Sequence, residues 1–287
     1  MVSRNEVARF FREGYWRHPI FTYRMWRAEN RKWGSGKDVW EYIGRNRKHA
    51  FLLVDNSADE EEMQTKGGAV AQGLCHGLGV QSQHKVLEVG CGVARIGREL
   101  APFCGEWWGC DISSSMIRIA RQRTTHLDNV HLEVLEHSSL DCFSSDTFDR
   151  VYCCVVFMHL DQEDIFGYVQ EMHRVLKPGG LVLYDALNLN CEAGWQRFQW
   201  EIEHYRSKAA RPIHHSRFAT PQEMSRYAEK ADLALLYCLE PWAWVQVVAT
   251  KHPAGCVTEG ERQSFAQQVG AQVDPGSLAD MFHVPDR

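Results

Sequence analysis

From Lys85 to Lys251 the chain repeats one pattern, a short apolar run followed by a stretch with helical spacing. KVLEVG precedes ARIGRELAPF, WWGCDI precedes SSMIRIARQR and FDRVYCCVV precedes EDIFGYVQEMHRVL, with VHLEVLE and GLVLYDAL as further apolar runs. Runs this short read as strands, and the helical stretches between them act as crossovers that keep successive strands parallel. The pattern predicts a doubly wound α/β sheet with helices on both faces. It breaks after Leu187. Residues 190–230 read as a helical insertion carrying Trp195, Trp200, His204, Tyr205, His214 and His215, and LALLYCLE and WAWVQVVATK then read as an antiparallel hairpin joined by Glu240-Pro241. Upstream, residues 4–49 read as helices interrupted near Pro19 and at Gly34-Ser35-Gly36, and the acidic stretch Asp55–Met63 as a solvated connector.

At 287 residues, 44% hydrophobic and 24% charged, the chain can build one large core and an appendage, which excludes wholesale disorder. No apolar run approaches the roughly 18–20 residues of a bilayer span, and the opening MVSRNEVARFFREGYW lacks both the apolar region and the cleavage site of a secretion signal. A cytoplasmic location and no membrane partner are expected. None of the ten cysteines forms a Cys-x-x-Cys pair, and Cys110, Cys153, Cys154 and Cys238 fall in apolar runs where a small buried hydrophobe serves. Reduced thiols and no metal site are expected. The net charge of −5 conceals an asymmetry, since residues 1–50 hold twelve Lys and Arg against five Asp and Glu, with four tryptophans among them. That segment either lies on the acidic remainder or faces an anionic ligand.

The run KVLEVGCGVARIG, Lys85–Gly97, places an acid and two glycines at a strand end. Gly90 and Gly92 let the backbone approach a ligand closely, in the crevice where the strand order of such a sheet reverses. A dinucleotide site would add a third glycine where this chain has Arg95. Glu88 would repel a pyrophosphate and stabilise a cation. A second acid, Asp111, ends the WWGCD run, where a carboxylate can accept both hydroxyls of a ribose. A ribose with a cationic amino-acid portion and no phosphate describes S-adenosylmethionine.

On these motifs the chain resembles the class I S-adenosylmethionine-dependent methyltransferases, and within them the bacterial type 11/12-like group acting on small molecules. The resemblance covers Gln64 to Lys251 and rests on VLEVGCGVARIG, the acid in GCDIS, LEHSSLDCFSSDTFDRVYCCVVFMHL and EMHRVLKPGG in that order, with the closing hairpin matching the family's reversed last strand. It implies a seven-stranded Rossmann-like sheet with an antiparallel last strand and an N-terminal helical segment. The division would be a helical lid or substrate segment at 1–63, the cofactor domain at 64–251 with its insertion at 190–230, and a tail at 252–287. By position, Glu88, Gly90 and Gly92 would line the methionine end of the cofactor and Asp111 would hold its ribose. Ile112 and Met116 would pack on the adenine, Glu136 and His137 would meet the adenine edge, and Cys154 would touch the methionyl group. The chain departs from the family at Ala94, where a third glycine is usual, and at Glu136, where Asp is commoner. Met116 and Cys154 also suit ordinary core positions, and His137 a surface loop.

The implied reaction is methyl transfer to a small-molecule acceptor, on O or N rather than C, with specialised metabolism as one setting and S-adenosylhomocysteine as product. Val156-Phe157-Met158-His159 stands where an Asp/Asn-Pro-Pro-Tyr turn would serve amine methylation of bases or glutamine, and no Pro-Cys follows the fourth strand for attack on cytosine. His159 is the candidate base, since an unperturbed histidine titrates near pH 6.5, and it also suits a structural cap on the following helix. His214 and His215 are rival bases. Tyr15, Trp16, Tyr23 and Trp26, interleaved with arginines, could grip an aromatic or anionic acceptor or pack on the acidic body. Two alternatives stand beside this reading: a methyltransferase acting on RNA or protein, and a non-catalytic module that binds the cofactor. The negative net charge argues against nucleic acid. A homodimer is one option for the assembly.

Overall fold

The computed structural model describes residues 33–206, 215–254 and 258–281. Among them, three helices precede the sheet: α1 (Gly36–Gly44), α2 (Arg47–Asp55) and α3 (Glu60–Gly77). Each begins at a polar side chain that accepts an otherwise orphaned helical amide: Ser35 from Asp38 N, Asn46 from His49 N and Asp59 from Glu62 N. The stretch Asp55–Met63 is therefore not a connector. It closes α2 and opens α3, because Asp59 caps the new helix and Glu60, Glu61 and Glu62 set negative charge at its positive end. Met63 is fully buried.

The sheet consists of β1 (Lys85–Val89), β2 (Glu106–Asp111), β3 (Val130–Val134), β4 (Phe148–Cys153), β5 (Leu176–Asn188), β6 (Phe218–Ala219), β7 (Leu233–Leu239) and β8 (Trp244–Lys251). Seven of these follow the order β3-β2-β1-β4-β5-β8-β7, and β8 alone runs against its neighbours. The eighth, β6, lies in the insertion read as helical and pairs in parallel with the end of β5. It has a place there because β4 pairs with β5 only as far as Tyr184, which leaves Leu187 and Asn188 without a partner on that edge. The insertion otherwise holds α7 (Glu192–Tyr205) and α8 (Pro221–Lys230).

Strand alternation divides the core into two layers. Leu87, Val89, Val151, Cys153, Val182 and Tyr184 pack against α6 (Gln162–Val175) and α8. Val86, Trp107, Tyr152, Leu181 and Leu183 pack on the other face against α3, α4 (Gly97–Leu100), α5 (Ser114–Arg123) and the helices of the tail, α9 (Glu259–Gly270) and α10 (Pro275–Asp280). A third cluster joins Val39, Ile43 and Phe51 of α1 and α2 to Met116 and Ile119 of α5. That cluster seats the N-terminal helices beside the strand ends. Among the described residues no helix is long and apolar enough to cross a membrane.

Candidate functional site

A cavity of about 320 Å³ opens at the C-terminal ends of β1, β2 and β4, between α1 and the turn that follows β4. Its floor is the loop after β1. Gly90 N and Cys91 N both donate to Cys110 O, at 2.8 and 2.9 Å, so the loop is tied to the end of β2. Gly90 has φ 74° and a Cβ there would run into the Val156 side chain, so the backbone bend and the close approach both demand glycine. Ala94, standing where a third glycine was expected, also takes a left-handed conformation, φ 56°.

The two carboxylates of the sequence reading face this one cavity from adjacent strands. Glu88 is 4% exposed. Its side chain accepts from Tyr152 Oη at 2.7 Å, and Tyr152 Oη accepts in turn from Trp107 Nε1 at 3.1 Å. Burial pushes the Glu88 carboxyl up to about 7, although the Tyr152 hydrogen bond and the Arg95 charge oppose the shift. Asp111 accepts from Gly92 N at 2.9 Å and Ser113 N at 2.8 Å. Burial raises it too, to about 6, against the pull of those two amides. Two acids held in this way at neighbouring strand tips disfavour a phosphate and favour hydroxyl donors and positive charge.

Of the remaining candidates, Gly92, Ile112, Met116, Cys154 and His159 also line the cavity. Glu136 and His137 do not. The Leu135 amide donates to Asp111 O at 2.9 Å and turns Leu135 inward, so that Glu136 and His137 come out at the surface, while Leu135 and Ser138 form the wall in their stead. His215 is partly buried and lies outside the lining. Tyr15, Trp16, Tyr23, Trp26 and His214 fall outside the described residues.

His159 ends the short turn Phe157–His159. Its ring meets Trp40 of α1 edge-on, with centroids 5.1 Å apart. Arg217, just ahead of β6, holds this turn through Nη1 to His159 O at 3.0 Å and through its own amide to Met158 O at 2.8 Å. On the opposite wall Lys37 Nζ reaches Leu135 O at 3.4 Å, and Glu41 accepts from Ser114 N and Ser115 N, capping α5 from outside its own helix. Lys37, Trp40, Tyr168 and Arg217 escaped the sequence reading, because nothing near them in the chain marks a site. Arg95 was visible only as a broken glycine motif, yet it too lines the cavity and pairs with Asp55 at 3.4 Å. Among the described residues no cluster of three or more His, Cys, Asp or Glu could hold a metal ion, and the nine described cysteines are free thiols.

Residues 86–180 match the family model described as a methyltransferase domain. A demethylmenaquinone methyltransferase of Staphylococcus epidermidis is 34% identical over 109 residues, 37% of this chain and 44% of that protein. The methyltransferase GfsG of Streptomyces halstedii is 32% identical over 118 residues, 40% of this chain and 41% of that one. The matches thus span less than half the length of either relative. Among solved structures, Haemonchus contortus phosphoethanolamine N-methyltransferase 1, in complex with phosphoethanolamine and S-adenosylhomocysteine, superposes with a TM-score of 0.57 at 15% identity. The superposition covers 81% of this chain and 52% of that one, a likeness of fold.

Proposed function

We propose that this protein, which carries a class I S-adenosylmethionine-dependent methyltransferase domain, moves a methyl group from S-adenosylmethionine to a small-molecule acceptor. The observation that carries the reading is the pair Glu88, buried, and Asp111, half-buried, at adjacent strand tips and facing one cavity across a bare-backbone bend. The residues present fit the cofactor. Asp111 would accept the ribose hydroxyls and Glu88 would lie toward the positive amino-acid end, while Gly92, where a Cβ would meet only Val54 at 3.7 Å, leaves the backbone open to close approach. S-adenosylmethionine supplies a methyl already activated on a sulfonium.

What remains for the chain is alignment and exclusion of water. Val156 and Trp40 supply apolar walls, and Arg217 holds the turn that carries His159. His159 would take a proton from an acceptor hydroxyl or ammonium within hydrogen-bond reach. The similarity to a demethylmenaquinone methyltransferase supports a small-molecule acceptor, and a histidine able to act as a base suits transfer to O or N. We place the protein in the cytoplasm.

Isothermal titration with S-adenosylmethionine, followed by chromatographic detection of S-adenosylhomocysteine across a panel of hydroxyl and amine acceptors, tests the reading. Cofactor binding and product with at least one acceptor are expected. No heat at about millimolar cofactor, a concentration that would reveal even weak binding, overturns it.

A further inference from the structure

Val155, one residue past the fourth-strand cysteines, takes φ 64°. A β-branched side chain in the left-handed region is a genuine outlier and is strained, so the surroundings must impose it. Asp185 does this. It lies on β5 beside β4, wholly buried, and its Oδ1 accepts the Val155 amide at 2.7 Å. Burial pushes the Asp185 carboxyl up to about 7, with the Val155 amide, the Cys154 thiol and the Arg95 charge working against the shift. An apolar residue at this place in the sheet would escape the cost of burying the acid, and what the acid gains is a fixed Val155.

The bend at Val155 has two consequences in the cavity. It brings Val156 against Gly90, where the fit leaves no room for a Cβ, and it starts the turn Phe157–His159. Cys154, Val155, Val156 and His159 all line the cavity. We propose that Asp185 is a positioning residue for the methyl transfer: by holding the Val155 amide it sets Val156 against the glycine loop and His159 at the acceptor end. The role in transfer rests on the function proposed above; the hold on Val155 does not.

The test uses three changes in the full chain. Asp185→Leu removes the acceptor oxygen at similar size, Asp185→Asn keeps it, and Val155→Gly makes the left-handed bend intrinsic. In Asp185→Leu, S-adenosylhomocysteine affinity by calorimetry is expected to fall about tenfold, because binding must then restore a bend that the free protein no longer holds. Asp185→Asn should stay within about threefold, and adding Val155→Gly to Asp185→Leu should recover most of the loss, which a merely structural acid would not allow. Amide hydrogen exchange at Val155 should quicken in Asp185→Leu and stay slow in Asp185→Asn, with or without ligand. Unchanged exchange and affinity in Asp185→Leu, or failure of Val155→Gly to restore binding, overturns the proposal. If Asp185→Leu does not fold, Asp185→Asn decides: a folded variant with fast Val155 exchange refutes the role of the acceptor oxygen. Failure of the unaltered protein to bind S-adenosylhomocysteine would count against methyl transfer alone, since the exchange experiment needs no ligand.

Discussion

Glu88, Asp111 and Asp185 share a property that sets how the site answers to pH. An acid whose folded-state pKa lies above its unfolded value binds more protons when folded, so stability falls as pH rises between the two values. Those windows run from 4.5 to about 7 for Glu88, from 3.8 to about 6 for Asp111 and from 3.8 to about 7 for Asp185. Asp149 behaves oppositely. Although burial works against it, the Lys85 amide and Lys177 hold its carboxyl below 3.8, so its stability is lost only as pH falls below that value. The ligand-free protein is therefore expected to melt higher as pH drops from about 7.5 to about 5, and lower again in stronger acid. Ligand binding should show the reverse trend, because hydroxyl donors and positive charge favour the ionised acids and S-adenosylmethionine affinity should climb through the same interval. Melting curves and calorimetry at matched pH values check both, and affinity that is flat across the interval would remove Glu88 and Asp111 from the binding site. His159→Ala is expected to lower turnover at least about a hundredfold, the lower end of the usual contribution of a general base, while cofactor affinity holds. Turnover unchanged at every pH would leave His159 as part of the wall only.

Among the elements, the first turn of α3 ties the N-terminal helices to the sheet layer. Glu60 meets Arg47 of α2 at 2.6 Å, Arg98 of α4 at 2.7 Å and Arg123 of α5 at 2.9 Å. The Arg123 side chain is fully buried, with Nη1 donating to Val93 O and the guanidinium over the Phe51 ring at 5.3 Å. Removing Glu60 leaves that charge buried without its carboxylate. Glu60→Ala is expected to cost about 2–3 kcal/mol, less than the full penalty for breaking a buried pair because a third of Glu60 is in water and screened. Urea unfolding with an unchanged slope checks this, and a loss below about 0.5 kcal/mol would show the cluster to be an ordinary surface network. Helix α1 adds the site's outer wall by a different device, since Glu41 caps α5 and Arg118 Nη2 donates back to Gly44 O at 3.1 Å. The wall that carries Lys37 and Trp40 is thus held at the helix whose N-terminus adjoins Asp111.

For the molecule as a whole, the tail closes the layer that the sheet and α3 begin. Val269, Val273, Leu278 and Met281 are buried in the same cluster as Val70 and Leu74, and a Cβ at Gly73 or Gly77 would strike Met281 or Leu278. Gly77→Val is expected to displace α10, lower the melting temperature and expose residues 258–281 to limited proteolysis, while S-adenosylmethionine affinity changes little. An unaltered digestion pattern would refute the tail's part in the core. The tail shows no strong period, so its two helices were invisible to a reading that relies on pattern. Asp59 could not be told from its acidic neighbours, and β6 could not be seen at all, because two residues carry no periodicity and pair only where β5 outruns β4. The strand-helix alternation, the antiparallel closing hairpin and the acid-glycine turn are legible in the sequence, since each depends on the spacing of neighbouring residues along one segment. By itself the sequence determined the glycine bend after β1 and which acids stand at the strand ends, as local sterics and periodicity require. Only the tertiary structure decided which side chains close the cavity, Lys37 and Trp40, Leu135 in place of Glu136, and Arg217, and which acid stands beneath Val155. These groups lie far apart in the chain and meet only when the helices pack on the finished sheet.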